Sequence, residues 1–319
     1  MGLPVRIFNS TDQGAPFQQP TRPSEWLAIL KKVLVEGYGA KTSLGWSLEF
    51  EDAVNLIVVF RQDPTIGSGG FLKVWSVGGD SAGTDIRIDV GKGHDGSGNL
   101  IERLGYRQLN LTSNTSNPAT NASAVAGWTI VGCARGFWAT QLFGGSTVST
   151  TTGEGQNIQW YVFIGDGETF DPNDAGQFTI VYNGSFSTTG DSADTSWTGG
   201  SVAGLDVGCT LFATDGSSSK LRYRYFIPNA STEVNGDPYA TEVPIVLQPV
   251  IPVAGDARTV YSVAFPRIRL KIPGLFETRM GGRSMSMPCV RNFGGFDFIP
   301  VRGFYTPAFW IKVSGEWYV

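Results

Sequence analysis

Ile86-Arg87-Ile88-Asp89-Val90, running into Gly91-Lys92-Gly93-His94-Asp95-Gly96, is the stretch on which the reading of the chain turns. Apolar side chains at 86, 88 and 90 alternate with charged ones at 87 and 89, the period-two pattern of a strand with one buried face. The glycine run matches the spacing G-x-G-x-x-G directly after a strand, where a dinucleotide-binding loop would stand. That fingerprint also needs a following helix and an acid about 20 residues on, and no Asp or Glu occurs between Glu102 and Glu154. A phosphate loop needs Ser or Thr after its lysine, whereas Gly93 follows Lys92. The stretch therefore predicts a strand ending in a glycine-rich hairpin turn, with His94 exposed on that turn.

The same alternation extends in both directions. Trp46–Phe50, Val54–Arg61 and Phe71–Val77 precede it; Trp128–Val131, Phe137–Phe143, Gln159–Ile164, Gln177–Val181, Thr210–Ala213, Leu221–Ile227, Val243–Pro249, Thr259–Phe265 and Ala308–Val313 follow. These runs are rich in β-branched and aromatic residues and are separated by Gly, Asn and Asp clusters. One segment departs from the pattern: Trp26, Leu27, Leu30, Val33 and Leu34 recur at three and four, predicting an amphipathic helix over 24–36, with Ser24 as N-cap and Gly37 as its stop. Before it, Pro4, Pro16, Pro20 and Pro23 with Gly14 predict an extended arm over 1–23. Phe8 and Phe17 on that arm, and Trp26 on the helix, are the candidate interface residues. The polar segment 113–126 reads as a linker or loop between a helix-plus-β unit, 24–112, and a β-rich domain, 127–319. The fold class expected is mainly β: antiparallel sandwich- or barrel-like units with an extended N-terminal arm and one N-terminal helix. No fixed repeat of a β-helix or propeller is visible.

Composition narrows the chemistry. Of 319 residues 42 are Gly and only one is His, and charged residues make up 16%, below the usual share of about 25%. A net charge of −4 argues against nucleic acid as a partner, since phosphate capture needs clustered Lys and Arg. Arg222 and Arg224, and then Arg267, Arg269 and Lys271, alternate with apolar residues and read as solvated or interface faces of strands. The N-terminus lacks a basic region followed by an apolar stretch, and no run approaches the roughly 18 apolar residues of a membrane span. Cys133, Cys209 and Cys289 are far apart, which fits reduced thiols better than a disulfide framework or a zinc site.

No catalytic, metal or cofactor site is assigned. One histidine cannot supply a zinc triad, and adjacent His94 and Asp95 on a turn make a poor base and orienter. Asp166, Glu168, Asp171 and Asp174 crowd one loop with enough oxygens for a hard cation, yet their spacing departs from the calcium-loop pattern, and turn chemistry around Pro172 accounts for them equally. A glycosidase would need two carboxyls facing across a cleft. Trp75, Trp138, Trp160, Trp197, Trp310 and Trp317 are either core residues or platforms for sugar rings.

Several motifs carry a resemblance. Gly14-Ala15-Pro16, the helix ending Leu34-Val35-Glu36-Gly37-Tyr38-Gly39-Ala40-Lys41, then Gly45-Trp46 and Asn55-Leu56-Ile57-Val58-Val59-Phe60-Arg61, resemble the opening of a family of tailed-bacteriophage virion structural proteins. Ile164-Gly165-Asp166 with Phe170, Pro172, Asp174 and Ala175 looks like that family's Gly-Asp strand-turn element, and Pro273-Gly274-Leu275 like its late Pro-Gly-Leu motif. The chain departs from the family at Lys31-Lys32 and at Lys271-Ile272. The resemblance implies a non-enzymatic component made in the host cytoplasm and carried in the virion, at the tail end, baseplate or tail tip. It would assemble as a homo-oligomer or ring with other virion proteins. The alternatives are a neck or capsid-decoration protein, a receptor- or carbohydrate-binding β module that meets a host surface glycan, and, third, an enzyme acting on host polysaccharide.

Overall fold

Strands whose apolar residues occupy both parities of the alternation have two faces to bury, and they set the architecture. In Ile158–Asp166, Trp160, Val162 and Ile164 enter one core while Tyr161 and Phe163 enter another. In Gly136–Phe143, Phe137 and Ala139 face the first core and Trp138 the second. These strands belong to a middle layer with a sheet packed on either side.

The computed structural model describes residues 2–109, 111, 125–143, 158–184, 208–217, 220–226, 243–251, 260–261, 269–278, 290–302 and 308–319. The N-terminal sheet runs, in spatial order, Ser47–Asp52, Ile57–Arg61, Phe71–Ser76, Ile86–His94 and Leu100–Arg103, with Arg107–Leu109 also on Ile86–His94. The central sheet is ordered Phe178–Gly184, Ile158–Asp166, Gly136–Phe143, Val125–Cys133 and Arg6–Asn9. The C-terminal sheet is ordered Gly208–Phe212, Lys220–Phe226, Val243–Ile251, Leu270–Thr278, Ala308–Lys312, Phe296–Arg302 and Arg291–Phe293. Neighbouring strands are antiparallel in all three sheets, and the short turns 53–56 and 134–135 require it of the strands they join. The chain is mainly β, as expected.

The helix Pro23–Lys31 continues through a π-helical turn, Lys32–Glu36, that Gly37 ends at φ 80°. Trp26, Leu27, Ile29, Leu30, Val33 and Leu34 are buried in the first core between the N-terminal and central sheets. Ser24 is not the cap. Pro23 takes the first helical position, where a missing N–H costs nothing. Glu25 Oε2 accepts the N–H groups of Thr21 and Arg22 at 2.7 and 3.0 Å, and Ser24 donates its N–H and Oγ–H to Asp80 at 2.9 and 2.7 Å.

Part of the arm over 1–23 is built into the sheets of its own chain: Leu3–Pro4 pairs with Glu316–Trp317, and Arg6–Asn9 is the last strand of the central sheet. Its alternation divides Ile7 and Phe8 between the two cores. Lys41 Nζ donates to the carbonyl of Ile7 at 2.7 Å, which places a charge on that sheet edge. The boundary expected at 113–126 does not separate two cores. Residues 112–124 lie outside the described set, but Trp128, Phe137 and Trp160 share one core with the helix and the N-terminal sheet. Among the described residues no helix is long and apolar enough to cross a membrane.

Candidate functional site

His94 is the last residue of its strand, and its side chain is only 6% exposed. The expected exposed turn histidine is therefore corrected. The ring packs on Phe50 and Phe71, with centroids 5.7 and 6.3 Å away, and Nε2 accepts the N–H of Gly98 at 2.9 Å. Asp95 closes the turn by accepting the N–H groups of Ser97 and Asn99 and the Asn99 side-chain amide, which hold its carboxyl below the usual range. The His94 and Asp95 side chains are 4.0 Å apart at nearest approach, outside hydrogen-bond range, so the pair does not form a base and its orienter.

The acidic loop is divided among separate partners. Asp166 is fully buried and accepts from Ser68 N–H at 3.0 Å, Ser68 Oγ–H at 2.5 Å and Arg135 Nε–H at 3.2 Å. Burial raises its pKa against the pull of Ser68 and Arg135. Gln62 Nε2 donates to the carbonyl of Arg135 at 2.6 Å, and its Oε1 accepts the N–H of Gly69 at 2.9 Å. Tyr318 Oη–H donates to the carbonyl of Asp166 at 2.6 Å, beneath the Arg135 guanidinium 4.2 Å from its ring centroid. A turn of the N-terminal sheet and the turn between two strands of the central sheet thus meet at the Asp166 carboxylate, and Tyr318 at its backbone carbonyl. Glu168 pairs with Lys271 at 2.7 Å, and Asp171 accepts the N–H of Asn173 at 2.9 Å. Asp174 takes Arg269 through both oxygens, at 2.5 and 2.6 Å, while Arg269 Nη1 donates to the carbonyl of Phe212. Arg269 is 1% exposed, so for this residue the expected solvated or interface face is corrected: a loop carboxylate draws the guanidinium inward. Among the described residues no group of three or more His, Cys, Asp or Glu side chains could hold a metal ion.

The third buried carboxylate was not singled out from sequence. Asp89 lies on the strand Ile86–His94, opposite Lys73, and accepts the N–H groups of Val90 and Gly105 and one Nη of Arg103 at 2.8, 2.9 and 3.1 Å. Desolvation outweighs these bonds and pushes its pKa up to about 6. Cys133 is buried, which drives its thiol up to about 11. The Cys209 side chain and all of Cys289 lie outside the described residues.

The candidate interface residues separate sharply. Phe8 is fully buried beside Tyr38, and Trp26 packs on Trp160 with centroids 4.9 Å apart, so both are occupied within the chain. Phe17 is 47% exposed and stands at φ 44°, held there by the Trp128 indole N–H, which donates to its carbonyl at 2.8 Å. Of the tryptophans considered as sugar platforms, Trp138, Trp160, Trp310 and Trp317 are buried, and Trp197 lies outside the described residues. Trp75 alone of that set is half-buried, on the outer face of the N-terminal sheet. Trp160 sits in the first core and Trp138 and Trp317 in the second, a context their spacing in the sequence does not reveal. No family model, no curated protein and no solved structure matches the chain.

Proposed function

We infer that the protein is a non-enzymatic structural component of a tailed-phage virion, at the tail end, baseplate or tail tip, assembling as a homo-oligomer or ring with other virion proteins. The observation that carries this reading is where the reactive groups go. His94, Asp166, Glu168 and Asp174 are each hydrogen-bonded or ion-paired inside the chain. Asp166 and Arg269 tie layers together instead of lining a cleft. The motifs behind the resemblance serve the same end. The Pro273 carbonyl accepts the indole N–H of Trp138 at 2.9 Å, and Gly274, at φ 72°, leaves no room for a Cβ against Trp317.

The test is mass spectrometry of gradient-purified particles of the encoding phage, with the protein then located by antibody labelling in electron micrographs. Stoichiometric presence at the tail end is the expected result; presence in the lysate but not in washed particles would sink the reading. A carbohydrate-binding β module is the second reading, favoured by the half-buried position of Trp75 beside Tyr106.

A further inference from the structure

We propose that the outer face of the N-terminal sheet around Trp75 and Tyr106 binds an acidic glycan: a hydroxyl-rich sugar ring carrying a carboxylate. The inference goes beyond the virion role and holds for the isolated protein whether or not that role is correct.

Register puts the parts together. Trp75 stands opposite Arg87, and Arg87 opposite Gln108, so these side chains form one row across adjacent strands. Lys73 and Asp85 are two residues from Trp75 and Arg87 and share their face. All five, with Tyr106, are half-buried, whereas Leu72, Val74, Ile86 and Ile88 between them are buried on the inner face. The Trp75 and Tyr106 rings meet nearly edge to face, with centroids 5.9 Å apart at 72°, forming a corner in place of a flat stack.

Both kinds of polar partner stand beside this corner. The Lys73 ammonium lies over the Trp75 ring, 5.1 Å from its centroid, and the Arg87 guanidinium over the Tyr106 ring at 4.6 Å, so each ring carries a cation on one face. Asp89 lies opposite Lys73 but is committed to Val90, Gly105 and Arg103. Gln108 Nε2 donates to Asp85 at 2.7 Å and Gln108 Oε1 accepts Arg87 Nε–H at 3.3 Å; the second lone pairs of these oxygens are the acceptors for sugar hydroxyls. A ring with C–H groups on one face stacks on an indole or phenol, its hydroxyls find the amide and carboxylate, and its own carboxylate finds Lys73 or Arg87. A nucleic acid fits less well. Its bases need parallel platforms and its phosphates a continuous basic track, and here the rings are crossed and Asp85 lies within the row.

Isothermal calorimetry on the isolated protein would use oligosaccharides bearing uronate or sialate, their neutral counterparts and a short single-stranded DNA. The acidic oligosaccharides are expected to bind at least about tenfold more tightly than the neutral ones, and Trp75→Ala to lose roughly tenfold or more, as removal of an aromatic anchor does. Arg87→Gln should erase the preference for acid while leaving residual neutral binding, and Trp75→Phe should keep most of the affinity. Failure of every acidic oligosaccharide to bind at millimolar concentration overturns the proposal. So does tighter binding of DNA, or an unchanged affinity in Trp75→Ala. Should Trp75→Ala not fold, Arg87→Gln and Trp75→Phe decide the matter.

Discussion

At Asp89 desolvation and hydrogen bonding pull in opposite directions, and burial wins: the carboxyl is 1% exposed and its pKa is pushed up to about 6, despite two backbone N–H groups and Arg103. A raised native pKa means the fold prefers the protonated acid. Its stabilisation is complete below the unfolded value near 3.8 and is lost as pH climbs through about 6. A shift of about two units is worth about 3 kcal/mol at most. Asp166 and Asp85 move in the same direction, also through burial. The protein should therefore have a higher urea midpoint near pH 5 than near pH 7.5, contrary to the common rise of stability towards neutrality. Asp89→Asn keeps one acceptor and the side-chain shape, so it should reduce that pH dependence and raise the midpoint at pH 7.5. A variant with the wild-type pH profile would show that Asp89 is not its source.

Among the elements, the N-terminal strand Arg6–Asn9 carries the clearest consequence. Phe8 is fully buried in the first core, so Phe8→Ala should cost about 3–5 kcal/mol by leaving a cavity. Phe17, nine residues before the core residue Trp26, behaves oppositely. Its left-handed backbone costs a non-glycine residue roughly 1–2 kcal/mol, and its carbonyl bond to Trp128 survives loss of the ring. Phe17→Gly should leave the thermal or urea midpoint within about 1 kcal/mol of wild type; a loss as large as that of Phe8→Ala would make the Phe17 ring an anchor after all. This strand was hidden in the sequence because the prolines around it dominate the local signal, while only the alternation of Ile7 and Phe8 speaks for pairing. Strands such as Phe71–Ser76 and Ile158–Asp166 were legible because their apolar periodicity is strong and their ends are marked by turn residues. Of Leu270–Thr278 only the start was read as strand, through the alternation that ends at Lys271, because Pro273 and Gly274 interrupt the rest. The partners of the acidic loop were illegible for another reason: Ser68 and Asp166 are 98 residues apart, and Asp174 and Arg269 are 95 apart. Only the layering brings them together.

For the whole molecule, the shared middle layer matters most. Because the strands of 125–184 bury one face in each core, neither outer sheet can open without exposing a side of the central one. Tryptophans report on both cores: Trp26 and Trp160 on the first, Trp138 and Trp317 on the second. Equilibrium unfolding followed at variants that retain tryptophan in only one core should give coincident transitions. Two separated midpoints would restore the division at 113–126. The ends of the described chain add a mechanical corollary. Leu3 lies opposite Trp317 and Pro4 opposite Glu316, with Val5 N–H donating to the carbonyl of Gly315 at 2.9 Å. Both outward-leading ends emerge at the same end of this short antiparallel ladder. A load applied through residues 2 and 319 therefore unzips its bonds one after another, without the simultaneous rupture that shear demands. Tension applied at these residues would peel the closure at low force, strand Leu3–Pro4 leaving Glu316–Trp317 before the sheets themselves are loaded.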